Sequence, residues 1–164
     1  MADEAEDLAG IQANAQMVVE QFGGSSDLEH FGFDALSVQW VDGFIERQRV
    51  REDVGPEFVG KMVSVLGSYL GECIIRSYGG KWTVGEEGWR VEFDEKNAAF
   101  PFAKVEKQFR NGAEDGIHSF FTAIPLVFPS LRPSGLRDNQ TLQRTGAADK
   151  LSWFQRLFRR GPGR

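Results

Sequence analysis

Four ionisable side chains are the candidates for a polar site in this sequence: Glu72, Lys104, Asp115 and His118. His118 follows Glu114 by four residues and Asp115 by three, and these spacings place side chains on one face of a helix. A carboxylate beside an imidazole can form an acid–base pair or part of a metal site. The sequence offers no identifiable third ligand, and the other histidine, His30, falls in a predicted loop. A solvated helix face is the favoured interpretation, and we expect no metal and no cofactor.

Glu72 is the carboxylate most expected to be buried. It flanks a stripe of small residues on a predicted helix that has few solvated positions, and a buried carboxylate needs a partner. Arg76, four residues later, is the nearest candidate, and Lys81 or Lys104 are alternatives that the fold would have to bring close. A structural ion pair is favoured, and the alternative is a polar site around Glu72 and Lys104 in a small enzyme or ligand-binding protein.

Cys73 is the single cysteine, so an internal disulfide is excluded and a reducing compartment is indicated. It lies late in a predicted helix among apolar residues, which predicts a buried, unreactive thiol. The sequence contains no phosphate-binding P-loop, no dinucleotide-binding glycine motif after a strand, no His-Glu-x-x-His and no paired cysteines. Evidence for an enzyme is therefore weak.

The helix that carries Glu72 and Cys73 is predicted to begin at Pro56 and to end at Gly79-Gly80. Its small residues share one side, opposite a broad apolar arc: Gly60, Ser64, Gly67 and Gly71. Glycine costs about 1 kcal/mol relative to alanine inside a helix, so a stripe of glycines needs a reason. The pattern predicts the close approach of another backbone, with a ligand against the stripe as the weaker alternative.

Two helices are predicted before it. The first has one apolar stripe and ends at the linker Gly23–Ser26; the stripe consists of Leu8, Ile11, Ala15, Val18, Val19 and Phe22. The second is capped by Asp34 and covers about residues 35–50, with Asp42, Glu46 and Arg49 on its solvated side.

After the third helix, alternation predicts an antiparallel hairpin of Lys81–Val84 and Trp89–Asp94, with a short third strand at Ala98–Phe100. A helix from Pro101 is expected to turn Lys104, Lys107 and Arg110 outward and to break at Asn111-Gly112. A last helix is expected to end before Pro125. The predicted fold is α+β: three N-terminal helices, a small antiparallel β hairpin or meander, two further helices and a disordered basic tail.

The charge is divided unevenly along the chain. Residues 129–164 carry eight basic and two acidic residues, a net charge of +6, which leaves −11 on residues 1–128. An acidic body repels phosphate, so we expect no nucleic-acid partner. The predicted organisation is a helix and linker over residues 1–34, a compact domain over 35–128, a disordered linker over 129–149 and a basic amphipathic segment over 150–164.

The C-terminal segment separates apolar from polar residues completely on a helical wheel. Its candidate contact residues are Trp153, Phe154, Arg156, Leu157, Phe158, Arg159 and Arg160. A helix this short needs a surface to fold on. Three outcomes remain open: contact with an anionic membrane, docking on the acidic body, and a dispensable end.

No basic, apolar leader is present at the N-terminus, and no apolar run approaches the ~20 residues that span a bilayer. A cytoplasmic protein is therefore expected.

Three segments resemble a family of bacterial domains of unknown function, numbered 3806. They are Trp40–Arg47, Val65–Glu72 through Gly79–Trp82, and Phe100–Lys107 with Asn111-Gly112 and Asp115. The resemblance covers about residues 35–125. It implies a bacterial origin and one compact domain, and it brings no established activity.

The leading hypothesis is a non-catalytic binding or protein-interaction module with an unknown protein partner. The first alternative is a small enzyme or ligand-binding protein that uses the four polar candidates. The second is peripheral membrane association through residues 150–164. The four polar side chains have to converge in one concave site for the enzyme hypothesis to hold.

Overall fold

The computed structural model describes residues 2–131, which form five α-helices and a three-stranded antiparallel sheet. The helices are α1 (Ala2–Ser25), α2 (Ala35–Arg49), α3 (Pro56–Tyr78), α4 (Pro101–Asn111) and α5 (Ile117–Val127). The strands are β1 (Lys81–Gly85), β2 (Gly88–Glu92) and β3 (Ala98–Ala99), and short 3-10 turns cover Gly112–Asp115 and Pro129–Leu131. The predicted α+β order of helices, hairpin and two further helices is confirmed.

Local capping chemistry sets the ends of α2 and α3 where the sequence predicts them. The Ser37 backbone N–H donates to Asp34 Oδ1 at 2.9 Å, which caps α2. Pro56 occupies the first turn of α3, where its missing N–H costs nothing. Gly79 ends α3 with φ at +88°, a conformation that favours glycine.

Helix α3 is the centre of the fold, with α1 and α4 packed along it. It is the one helix within residues 2–131 that is long and apolar enough to cross a membrane, with 23 residues and a mean hydropathy of 1.4 over an 18-residue window. The expectation that no apolar run reaches this length is therefore wrong. Half of the apolar window is buried inside the fold, and a core helix meets the same criteria of length and composition.

The small residues of α3 contact aromatic rings more than backbone. The Phe102 ring lies against Gly67, with the Phe102 Cα also close, and the Trp82 ring lies against Gly71. A Cβ at either glycine would overlap these atoms, whereas Gly60 faces open space. Close packing therefore explains Gly67 and Gly71, as predicted. Their neighbours are mainly aromatic side chains and not the predicted backbone, and these side chains fit only because glycine has no Cβ.

Helix α1 continues through the glycines that were predicted to end it. Its last turn is closed by Ser25 Oγ, which donates to Gln21 O at 3.0 Å, and by the Ser26 N–H, which donates to Phe22 O at 2.7 Å. The Phe22 ring packs against Trp40 with 4.9 Å between ring centroids. This contact anchors the turn, so the predicted linker at Gly23–Ser26 is wrong.

The sheet is a hairpin extended by a two-residue strand. Trp82 pairs with Val91, and Val91 pairs with Ala99, so these side chains share the face that packs toward α3. The opposite face carries polar contacts, including Arg90 to Glu92 at 2.9 Å. The predicted third strand is confirmed at Ala98–Ala99.

The end of the described chain differs from the prediction in two ways. Helix α5 contains Pro125 and ends at Val127, because the Phe128 N–H still closes the last turn on Ile124 O at 2.9 Å. The predicted disordered linker begins with a 3-10 turn at Pro129–Leu131. The rest of that linker and the amphipathic segment 150–164 lie outside the described residues.

Candidate functional site

Lys104 is buried, although its position on α4 predicted an outward side chain. It is 2% exposed, and its Nζ lies 3.0 Å from Asp115 Oδ1. Asn111 Nδ2 donates to the second oxygen of Asp115 at 2.7 Å, and the Phe120 ring centroid lies 5.6 Å from the ammonium. The break at Gly112 turns the chain back along α4, and this return places the Asp115 carboxylate beside Lys104.

The two charges of this pair affect each other. Burial lowers the pKa of Lys104, and the hydrogen bond and charge of Asp115 offset part of that shift. Burial raises the pKa of Asp115, but hydrogen bonds from Asn111 and Lys104 outweigh it, so this pKa lies below its ordinary value. The carboxylate that stabilises the ammonium is thus itself held in its charged form.

Gln108, which the sequence did not single out, connects three helices from a fully buried position. Its Nε2 donates to Asp42 O and Oδ1, both at 3.2 Å, and to Glu46 Oε1 at 3.1 Å. Its Oε1 accepts the Ile117 N–H at 2.9 Å at the start of α5. The amide therefore joins α2, α4 and α5 through both ends of one side chain.

The charged stripe of α2 faces α4 and α5 and is half-buried, so the prediction that it lies on the solvated side is only partly right. Asp42 Oδ2 accepts the backbone N–H of His118 at 3.0 Å. Arg49 Nε donates to Phe109 O at 3.3 Å, near the end of α4, and the Arg49 guanidinium lies 3.8 Å from Glu46. The stripe satisfies backbone groups at helix ends, which otherwise lack partners within their helices.

His118 does not share a helix face with Glu114 and Asp115. Glu114 and Asp115 belong to the 3-10 turn Gly112–Asp115, and Gly116 separates them from α5. The predicted helical pairing of Glu114 with His118 is therefore wrong. His118 is half-buried and enters the polar network through its backbone N–H.

Glu72 forms a second polar contact region, between α3 and β1. Its side chain is nearly buried, accepts Trp82 Nε1 at 2.9 Å and pairs with Arg76 at 3.5 Å. The predicted Arg76 partner is confirmed. The Trp82 donor was missed, because no helical spacing connects a strand residue to α3.

The four polar candidates therefore do not converge in one site. Lys104 and Asp115 pair with each other, and Asp42 is also among the charges that act on Lys104. The hydrogen bonds of Glu72 go to Trp82 and Arg76.

Cys73 is fully buried, as predicted, and burial raises the pKa of its thiol. A protonated thiol without access to solvent is a poor nucleophile. Within residues 2–131 no three His, Cys, Asp or Glu side chains are grouped as a metal site.

A shallow depression lies beside the turn between β2 and β3, bordered by Arg90, Asp94, Asn97 and Phe100. Its enclosed space is about 10 Å³, which is room for about one water molecule. None of the four polar candidates borders this depression.

Comparison of the chain with protein-family models, with curated proteins and with solved structures finds no match. The resemblance to the family of bacterial domains of unknown function stays a prediction.

Proposed function

We propose that this chain is a cytoplasmic bacterial binding module that acts through contacts with a protein partner and not through catalysis. One observation carries the proposal: the Lys104 ammonium is buried against the Asp115 carboxylate at 3.0 Å, and that carboxylate is also bonded to Asn111. A catalytic lysine has to meet a substrate, whereas this one joins α4 to the turn that follows it.

The neighbouring polar groups support the same proposal. Gln108 uses both ends of its amide on helices α2 and α5. The Glu72 carboxylate accepts hydrogen bonds from Trp82 and Arg76. These contacts hold helix ends and strand positions in place. The side chains that are best suited to catalysis are therefore used for structure.

Affinity capture from the source bacterium, followed by titration calorimetry with the purified captured protein, tests the proposal. We expect a saturable complex of fixed stoichiometry. A chain that forms no such complex and instead turns over a substrate, with turnover lost in a folded Lys104→Met variant, would contradict it. Lys61→Met, at an exposed lysine on α3, is the matched control for loss of one positive charge.

The second candidate is a small enzyme or ligand-binding protein with a polar site around Glu72 and Lys104. The lowered pKa of Lys104 favours it, because perturbed ionisable groups concentrate at active sites. The same perturbation arises in structural ion pairs. The two side chains also bond to different partners, so this candidate is second.

Peripheral membrane association through residues 150–164 is the third candidate, and it depends on sequence alone. Its observation is the complete division between the apolar residues and the arginines of that segment. Co-sedimentation with anionic vesicles, for the full chain and for a chain ending at residue 149, tests it. We expect binding that the truncation removes, and a full-length chain that ignores the vesicles would exclude the anchor.

A further inference from the structure

The outer edge of β1 is open for pairing with another strand. The Phe93 N–H donates to Asn97 O at 2.9 Å across β2 and β3, which shows that odd-numbered residues of this strand direct their backbone groups toward β3. The even-numbered residues Arg90 and Glu92 therefore bond to Thr83 and Lys81 on β1. In β1, the backbone groups of Trp82 and Val84 consequently point away from β2.

Within residues 2–131, the backbone groups of Trp82 and Val84 make no hydrogen bond on that outer side. The strand also lacks the features that usually protect an edge. It contains no proline, its register with β2 has no bulge, and its one charged residue, Lys81, stands at its first position. An edge of this kind is a template for an additional strand.

The sequence of β1 is complementary to itself when two copies run antiparallel about a two-fold axis at Thr83. This register brings the outward backbone groups of Trp82 opposite those of Val84 in the other copy, so they can exchange hydrogen bonds twice. Every residue of the strand is then paired. In any other antiparallel register that still brings outward backbone groups of the two copies opposite each other, some residues of β1 have no partner.

The side chains fit in the same register. Trp82 and Val84 share one face of the sheet, and Val84 is 47% exposed. In the paired arrangement each Val84 would lie beside the Trp82 side chain of the other copy, whose ring also packs on Gly71 of its own α3. Aromatic residues opposite β-branched residues are favourable cross-strand pairs. Val84, the most exposed apolar residue of the sheet, thus gains an apolar neighbour.

The charges at the ends of the strand agree with this register. Lys81 lies opposite Gly85 of the other copy, directly beside the hairpin turn Glu86-Glu87. Lys81, Glu86 and Glu87 are all exposed. A positive charge at one end of the edge therefore meets two negative charges at the other end, twice across the symmetric interface.

We propose that β1 pairs antiparallel with β1 of a second copy of this chain, centred on Thr83, to form a six-stranded sheet across the dimer. The inference rests on the proposed function as an interaction module and names one partner, the chain itself. A five-residue strand pair buries a small area, so the dimer is expected to be weak, with dissociation in the range of about 1–100 μM.

Sedimentation equilibrium of the full chain tests the dimer between about 5 and 500 μM, a range that brackets this affinity. We expect a reversible monomer–dimer equilibrium. Lys81→Glu places like charges at both ends of the interface and should weaken the dimer about tenfold. Lys96→Glu, at an exposed lysine in the turn before β3, changes the net charge equally and should leave the dimer unchanged.

A charge exchange isolates the register. Lys81→Glu alone and the double variant Glu86→Lys/Glu87→Lys alone should each be poor homodimers. Their mixture should associate, because each copy then meets opposite charges at both ends. Circular dichroism confirms that each variant is folded, and none of the three positions lies in the core.

Three results would overturn the inference. The wild-type chain could stay monomeric over the whole range, Lys96→Glu could weaken the dimer as much as Lys81→Glu does, or the mixed variants could fail to associate. A monomer that still binds a captured protein would remove the dimer and leave the proposed function in place. A dimer that binds no captured protein would leave the strand pairing in place and remove the proposal of a separate protein partner.

Discussion

Helix α4 contacts α3 through an aromatic ring packed on a glycine, whereas it contacts α2, α5 and the turn Gly112–Asp115 through a buried amide and a buried ion pair. On the first side, Phe102 covers Gly67 of α3. On the second side, Gln108 donates a hydrogen bond to Glu46 of α2, and Lys104 donates one to Asp115 of the following turn. We call these the glycine side and the polar side of α4.

The difference shows two ways of fixing one helix. Shape complementarity on the glycine side depends on a missing Cβ and is lost when that space is filled. Bonding on the polar side depends on each buried donor having an acceptor, and it is lost when one member of a pair is removed. Variants on the two sides should therefore fail for different reasons, and the following predictions separate them.

The largest effect is expected for Gln108→Leu, which removes the bonds of the buried amide but keeps much of its volume. The Ile117 N–H and the carboxylates of Asp42 and Glu46 lose partners inside the fold. We expect a loss of about 3 kcal/mol in the free energy of unfolding, measured by urea denaturation. The exposed Gln39→Leu on α2 is the control and should stay within about 0.5 kcal/mol of wild type.

On the glycine side, Gly67→Ala should destabilise the fold by about 2 kcal/mol, because the new methyl group overlaps the Phe102 ring and approaches the Phe102 Cα. The control has the opposite sign. Gly60→Ala introduces the same methyl group into open space on the same helix and should stabilise by up to about 1 kcal/mol. Equal effects of both variants on the free energy of unfolding in urea would show that the Phe102 contact does not limit packing on this side.

Trp82→Phe should cost about 1.5 kcal/mol beyond its lost packing, since Glu72 loses the indole N–H donor. Trp89→Phe removes the same atoms from the neighbouring strand. Within the described residues the Trp89 indole N–H makes no side-chain hydrogen bond like that of Trp82. The difference between the two unfolding free energies therefore measures the bond to Glu72, and a difference near zero would contradict its role.

The smallest effect concerns pH. The folded-state pKa of Asp115 is lowered, so its contribution to stability is present above the unfolded value and is lost as pH falls through the folded pKa. Wild type should lose more stability than Asp115→Asn between about pH 5 and about pH 2. Both proteins keep the other carboxylates, such as Asp94, so the comparison reports Asp115. If the unfolding free energies of wild type and Asp115→Asn fall equally as the pH is lowered, the lowered pKa of Asp115 is contradicted.

The parts of the fold that follow from local chemistry could be predicted from the sequence. The Asp34 cap, the start of α3 at Pro56 and the break at Gly112 each depend on residues within one helical turn. The hairpin follows from alternation between adjacent residues. These features need no knowledge of what lies across the fold.

The polar side of α4 could not be predicted in this way. Asp42 and Gln108 are 66 residues apart in the chain, and a polar stripe that meets a buried amide has the same helical spacing as a stripe that meets water. For the same reason the helical spacing of Lys104 predicts an outward side chain. The one available signal was the loop Asn111–Gly116, which is short enough to return an acidic residue to the face of α4.

A double-mutant cycle on Lys104 and Asp115 measures how far this ion pair holds the fold together. The unfolding free energies of wild type, Lys104→Met, Asp115→Ala and the double variant are measured by urea denaturation at neutral pH. We expect a favourable coupling of about 2 kcal/mol, because either single variant leaves a buried charge without its partner. A coupling within about 0.3 kcal/mol of zero would contradict the structural role of the pair.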